Sequence, residues 1–403
     1  MQEKYVWDTS LKIRLGGETL FHLFYWMYFP FIAIYFSQSL GKGWTGLLMM
    51  LPPVISLVAG MVGGSLTDRL GRRTMMLWGT AMRCTMFVLF ASSPFIWLDY
   101  MAFLGITIGT SIYKPASDAM VADLVPAIYK KEVFAAFLTG SNIGAVIGPI
   151  LGAWLFFNYR ELLLWGCALI LIIYFLFILI KVKESAPISN EKMPISVVAE
   201  CKSCVAILKD RLFACYLVAG IFSVIAIMQL DLYLAIYVFE YVPTQTIWSR
   251  LTLSSQEILG WMLGINDCMF VLFVLPTAIW LKKWTDRNVF IFSCLLAGIG
   301  IFLVGFTTSF WMLLIWTVVF TFGEIIRAPV LYNFVSEYAP VNARGQYMVA
   351  SNMQFTIGHF LAPMTVTLSA WLSPIFIFGG ILLCAFISML LYMMLYKQKT
   401  STI

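Results

Sequence analysis

The chain has 403 residues, 61% of them hydrophobic and only 11% charged, with a mean hydropathy of +0.89. That leaves too little polar surface to cover a soluble protein of this size and predicts an all-α, multi-pass membrane protein. The formal charge of +6 does not point to nucleic acid, because the basic residues fall mostly in short loops, where they set topology.

A membrane span needs about 20 mainly apolar residues bounded by turn or charge signals. Twelve segments qualify: Leu15 to Phe36, Trp44 to Leu66, Met75 to Ala91, Tyr100 to Ala122, Val133 to Phe157, Leu162 to Ile180, Phe213 to Phe239, Ile258 to Leu281, Val289 to Phe306, Phe310 to Val335, Tyr347 to Trp371 and Pro374 to Tyr396. The opening MQEKYVWDTSLKIRLGGE has no apolar core followed by a small-residue cleavage site, so it reads as a tail leading into the first span. Lys and Arg crowd one set of loops, including Arg69, Arg72, Arg73, Lys130, Lys131, Lys181 to Arg211, Lys282, Lys283 and Arg344, whereas the other set holds only Lys42, Arg160 and Arg250. By the positive-inside rule both termini are expected in the cytosol of a plasma-membrane protein.

The longest polar stretch divides the spans six and six. It gives a bundle over 1-183, a cytosolic linker over 184-211 in which Val197 to Leu208 is a candidate surface helix, and a second bundle over 212-403. A shift of 214 residues lays one half on the other: Thr107 falls on Thr321, Gly109 on Gly323, Pro115 on Pro329, Asp123 on Glu337, Gly144 on Gly358 and Pro149 on Pro363. Coincident Gly, Pro and loop charges point to a duplicated unit. Two parallel repeats are the architecture of transporters that expose a midplane site to alternate sides.

Between the second and third spans, Gly64, Asp68, Arg69, Gly71, Arg72 and Arg73 make a compact charged hairpin. Gly64 would let its helix approach another closely, and Gly71 would permit the reversal. Asp68 sits at a helix C-terminus and Arg72 at a helix N-terminus, each at the wrong end of the helix dipole, so each needs an opposite charge from elsewhere. In the fifth span, Gly140, Asn142, Gly144, Gly148, Pro149 and Gly152 form a stripe suited to close packing and a bend.

These two motifs resemble the major facilitator superfamily, the first its loop signature, the second the antiporter motif of its drug:proton exchangers. Ile227 to Asp231 and Gly323 to Ile325 are similar to the corresponding helices of LmrP-type multidrug transporters. The resemblance covers nearly the whole chain and implies a fold of two pseudo-symmetric six-helix bundles. It also implies that Asp68 reaches the start of the eleventh span near Gly345 to Tyr347, and that Asp123 is the partner of Arg72. One departure is clear: the arginine usual early in the fourth span is replaced by Phe103, and Lys114 lies deeper.

Charges inside spans cost about 2.5 to 3.5 kcal/mol each on insertion scales and are seldom kept without a use. The candidates for proton coupling and substrate binding are Asp231, Asp267, Glu324, Arg327 and Lys114. Glu324 lies about 20 Å along its helix from the start of the span, and Arg327, three residues on, could pair with it. His22 and His359 are read as packing or hydrogen-bonding residues, and Glu18 and Arg83 are left without a role. Six cysteines lie in apolar runs, and Cys201 and Cys204 form a lone C-x-x-C, so no metal site is expected, nor any cofactor.

A carboxyl group in apolar surroundings can hold a proton or be neutralised by a cationic ligand, and competition between the two, read from alternate sides, is antiport. The expected function is proton-coupled efflux of amphipathic or cationic drugs. A proton-coupled nutrient symporter or facilitator and a lysolipid flippase of the same fold are the alternatives. The expected partners are a small-molecule substrate, protons and the bilayer, with no nucleic acid, and the chain is expected to act as a monomer. No nucleophile and base set, metal cluster or phosphate loop suggests an enzyme.

Overall fold

The computed structural model describes residues 7–126, 128–185, 207, 209–247, 251–340 and 343–402. The linker helix expected at Val197 to Leu208 and the Cys201 and Cys204 pair therefore lie outside the described residues, apart from Ile207. Among the described residues ten helices are long and apolar enough to cross a membrane.

In chain order the helices begin with α1 (Thr9–Tyr28), a 3-10 turn at Phe29–Phe31, α2 (Ile32–Leu40), α3 (Lys42–Met49) and α4 (Leu51–Leu70). They continue with α5 (Arg72–Ser92), α6 (Ile96–Leu124), α7 (Lys130–Asn158) and α8 (Arg160–Lys181). The rest are α9 (Arg211–Ile227), α10 (Tyr233–Tyr241), α11 (Ser255–Trp280), α12 (Asp286–Val304), α13 (Phe310–Tyr338), α14 (Arg344–Ser351), α15 (Met353–Leu361), α16 (Met364–Leu368) and α17 (Pro374–Thr402). Between α10 and α11 a short antiparallel ribbon pairs β1 (Gln245–Ile247) with β2 (Leu251–Leu253).

Helix starts follow local chemistry. The Asp8 carboxylate accepts from the Ser10 amide, Asp210 from Leu212 and Phe213, and Ser254 with Glu257 forms a reciprocal capping box. The internal duplication appears in the elements themselves: α6 and α13 are both 29 residues long, carry Pro115 and Pro329 inside, and start and stop at the same 214-residue offset.

Two spans of the second half expected to be continuous are broken. The seventh is interrupted from Met228 to Leu232 between α9 and α10, and the eleventh is split into α14, α15 and α16. In the second case Pro363 has no amide hydrogen to continue the ladder, and the Thr365 hydroxyl donates to the Ala362 carbonyl at 2.8 Å. The first two spans also break, at the 3-10 turn around Pro30 and at Met50 just before Pro52 and Pro53. The charged hairpin is shorter than the sequence suggests. Helices α4 and α5 run through it and leave a single connecting residue, Gly71, at φ 95°, a left-handed conformation that favours glycine.

By contacts the chain forms two compact units. The first comprises Met1–Phe29 and Pro52–Ile195, the second Pro30–Leu51 and Ser196–Ile403. In the first, α1 packs on α7 and α8, and α5 on α6 and α8. The stripe Gly140, Gly144, Gly148 and Gly152 faces α1, where added Cβ atoms would fall on Thr19, the Leu23 amide, Trp26 and the Met27 carbonyl. Helix α4 meets α6 at Gly63, whose added Cβ would stand 2.8 Å from the Ile112 Cα, whereas at Gly64 the nearest atom would be Pro115 Cβ at 3.9 Å. Within this unit the close approach expected at Gly64 is therefore made by its neighbour.

The second unit packs α9 against α15 and α17, α12 against α13 and α17, and α11 against α13. Its buried aromatic core includes Phe213, Tyr216, Phe290, Phe334 and Tyr392, with Phe290 and Tyr392 stacked at 4.1 Å between centroids. The segment Pro30–Leu51 belongs here because α2 packs on α10 and α3 on α16, with Lys42 Nζ 2.6 Å from Glu240 Oε2.

Candidate functional site

The break between α9 and α10 is stitched by Gln229, which is fully buried. Its side-chain amide donates to the Ile225 carbonyl at 2.6 Å, and its Oε1 accepts from the Thr365 hydroxyl at 2.8 Å. One broken span is thereby tied to the other, and the Ile225 carbonyl at the break is met by a side-chain donor, as an apolar medium favours. Asp231 lies in this break, half-buried.

Glu324 is positioned by α13. Gly323 beside it lets that helix press on α12: an added Cβ would stand 2.5 Å from the Ala297 amide nitrogen, and the Ser293 hydroxyl donates to the Gly323 carbonyl at 2.6 Å. The rotation of α13, and with it the direction of Glu324, is set by that contact. From α11, the Asn266 amide donates to Thr321 Oγ1 at 2.9 Å and to Glu324 Oε2 at 3.3 Å. Asp267 follows Asn266 on the same helix. Asp231, Asp267 and Glu324 stand close enough for their charges to act on one another, so the second unit brings together three of the five predicted charges.

Arg327 takes a different place from the one its spacing suggests. Its buried guanidinium turns from Glu324 to Gln354 Oε1 at 3.0 Å and Tyr392 OH at 3.4 Å. Gln354 in turn donates to the Ser351 carbonyl at 2.9 Å. Arg327 thus joins α13 to α15 and α17, and its charge still acts on Glu324.

Lys114, in the first unit, pairs with Asp118 at 3.0 Å along α6, both side chains largely exposed. Asp118 was missed in the sequence reading although the i, i+4 spacing shows it. Also missed is a buried polar network in which Glu18 Oε1 accepts from Arg14 at 3.0 Å, from Tyr113 at 2.7 Å and from Ser117 at 2.5 Å. Ser117 in addition contacts Arg14, and Tyr174 extends the network through Tyr113 at 2.5 Å. Arg83 is buried with its guanidinium 4.3 Å from the ring centroids of both Phe21 and Tyr113, a desolvated cation–π arrangement. Glu18 is matched by an arginine and two further donors, a satisfied structural carboxylate, unlike the three gathered in the second unit.

In the hairpin, Arg72 Nε donates to Asp123 Oδ2 at 3.0 Å, and Arg72 Nη1 lies 3.2 Å from Asp68 Oδ1. Arg73 donates to the Leu179 carbonyl at 2.6 Å, and Asp68 and Arg69 are exposed. The carboxylate at the start of α5 is Glu184, which accepts from the amides of Arg72 at 2.8 Å and Arg73 at 3.1 Å. It lies at the positive end of the helix dipole. The beginning of the linker thus closes onto the hairpin, which composition alone did not signal.

Comparison with known proteins agrees with this architecture. The sequence profile of the Major Facilitator Superfamily matches residues 15–247 and 241–402. The chain is 35% identical to a protein of Planococcus maritimus named Na(+), Li(+), K(+)/H(+) antiporter, over 91% of this chain and 90% of that one. It is 25% identical to multidrug resistance protein MdtH of Yersinia enterocolitica, over 83% and 80% respectively. Among solved structures it resembles a POT family transporter crystallised with 5-aminolevulinic acid, with a TM-score of 0.77 at 15% identity over 95% of this chain and 94% of that one. The nucleoside transporter NupG gives a TM-score of 0.75 at 12% identity over 96% and 99%; at such identities the likeness concerns the fold alone. With its profile matched along nearly its whole length, its duplicated helices and its membrane-spanning composition, the chain belongs to the Major Facilitator Superfamily and is a multi-pass membrane transporter.

Proposed function

We propose that the protein is an antiporter that exchanges protons for monovalent cations at Asp231, Asp267 and Glu324. The observation that carries this reading is the gathering of three carboxyl groups beside a break in a span, with Arg327 turned away to Gln354 and Tyr392. Like charges within electrostatic reach of one another in apolar surroundings are costly, and the cost falls when a proton or a cation neutralises one of them. Proton and cation therefore compete. Opening the site to alternate sides turns that competition into exchange, and each charge moved across 100 mV contributes about 2.3 kcal/mol.

Support for small inorganic cations comes from the Planococcus maritimus relative, whose name states that substrate class. The second reading, efflux of amphipathic organic cations in the manner of LmrP-type exchangers, draws on the MdtH relatives. Neither the symporter nor the flippase alternative has a comparable observation in its favour. Purified protein in liposomes carrying an imposed pH gradient and an internal pH dye decides between the readings. Sodium, lithium or potassium should discharge the gradient, and Asp231→Asn should weaken that response. Discharge by ethidium alone would favour the organic substrate, and discharge by neither would overturn antiport.

The hairpin has a separate role under the same reading. Asp68, exposed and 3.2 Å from the Arg72 guanidinium, acts in the conformational change and takes no part in substrate recognition. Asp68→Asn is expected to slow exchange while cation binding, followed by protection against thermal unfolding, stays as in the wild type. Lost binding with normal turnover would contradict this.

A further inference from the structure

The first unit carries a feature with no part in the exchange reaction: an apolar groove of about 320 Å³ between α1 and α8, walled by Ile13, Gly16 and Leu20 on one side and Ile173, Tyr174 and Phe177 on the other. Gly16, Leu20, Ile173 and Phe177 are exposed, and a Cβ added at Gly16 would meet no atom within 4 Å. Both helices are membrane-spanning in length and composition, and an exposed apolar surface on such helices suits contact with hydrocarbon. An unfilled apolar groove there forgoes dispersion contacts with its walls.

The charge at one end of the groove indicates which lipid fills it. An added Cβ at Gly17 would fall on the Tyr174 ring, and one at Gly166 would meet Phe24. Rising numbers on α1 thus meet falling numbers on α8, and the two helices are antiparallel. Lys12, which lines the groove, and Lys181, at the last turn of α8, therefore share one end of it. Both are exposed. The carboxylates nearest them along the chain are engaged elsewhere, Asp8 with the Ser10 amide and Glu184 with the amides of Arg72 and Arg73.

We propose that this groove is a binding site for an anionic phospholipid, one acyl chain lying over Gly16 and the headgroup phosphate held between Lys12 and Lys181. The inner wall gives the site a consequence. The Tyr174 ring packs on Gly17, while its hydroxyl meets Tyr113 at 2.5 Å in the Glu18 network. An acyl chain in the groove would hold that ring in place, and with it the α1, α6 and α8 contact.

The test is lipid retention by the full-length purified protein, read by native mass spectrometry after exchange into mixtures of phosphatidylglycerol and phosphatidylcholine. Wild type is expected to retain phosphatidylglycerol about tenfold more than phosphatidylcholine, the size of preference two interfacial lysines can supply. Gly16→Leu, whose Cβ has open space around it and whose outer atoms would occupy the groove, should reduce retention of both lipids. Lys12→Gln with Lys181→Gln should remove the preference but keep retention; being surface changes, they preserve the test if Gly16→Leu fails to fold. Equal retention of the two lipids by wild type, unchanged retention in Gly16→Leu, or an unchanged preference in the double lysine variant would each overturn the site.

Discussion

Glu324→Gln is expected to reduce gradient-driven cation exchange about tenfold or more, a barrier raised by about 1.4 kcal/mol, while leaving the protein folded. Glutamine has nearly the same shape, and its side-chain oxygen can still accept from the Asn266 amide that now meets Glu324 Oε2 at 3.3 Å. The contact of Gly323 with α12 is untouched, so the helix keeps its rotation. Under the proposed function, what disappears is a proton-binding group and one of the charges that act on one another. Cations should bind more weakly, and imposing a pH gradient should no longer accelerate their movement. The measurement is the exchange rate in liposomes across a series of imposed gradients, with thermal unfolding as the control for folding. A variant that tracks the wild type at every gradient would exclude Glu324 from coupling.

Gly144→Leu should leave little folded protein. An added Cβ at Gly144 would stand 2.6 Å from the Leu23 amide nitrogen and 2.8 Å from the His22 carbonyl carbon. These are backbone atoms of α1, which cannot rotate aside as a side chain could. Overpacking a well-filled interface costs about 1 to 3 kcal/mol and sometimes more; here backbone faces backbone, which places the cost at or above the top of that range. Gly148 and Gly152 face α1 in the same way, so the stripe works as one seam. Gly379→Leu, where no atom lies within 4 Å of an added Cβ, is the control. Yield and thermal unfolding in detergent should fall sharply for the first and stay near wild type for the second. If Gly144→Leu instead folds normally and loses only proton coupling, the motif acts in coupling and its packing role is secondary.

The two expectations differ in how far the sequence alone supports them. The cost of a charge in hydrocarbon marks Asp231, Asp267 and Glu324 without any structure. Their gathering depends on α9, α11 and α13 being packed in one unit, and on the Gly323 contact that turns Glu324 toward Asn266. Arg327 shows the limit most clearly. Spacing of i, i+3 allows a pair with Glu324, but spacing along one helix says nothing of Gln354 and Tyr392, which arrive from α15 and α17 and take the guanidinium. Glu18 shows the same limit in part: Arg14 stands at i, i+4 on α1, a spacing the sequence displays, but its donors Tyr113 and Ser117 come from α6.

By itself the sequence determined the membrane-spanning character, the internal duplication and the family, because hydrocarbon imposes length and apolarity on every span and a repeat is visible as recurring Gly, Pro and charge. It also located the charged hairpin and the glycine stripe. Only the tertiary structure decided where spans break, which carboxylates are already satisfied, and that Gly63 and not Gly64 makes the close approach to α6 within its unit. The physical reason is common to all three. Apolar burial is a property of a segment that can be summed along the chain, whereas the partner of a buried polar group lies on another helix and is set by rotation and register, to which hydropathy is blind.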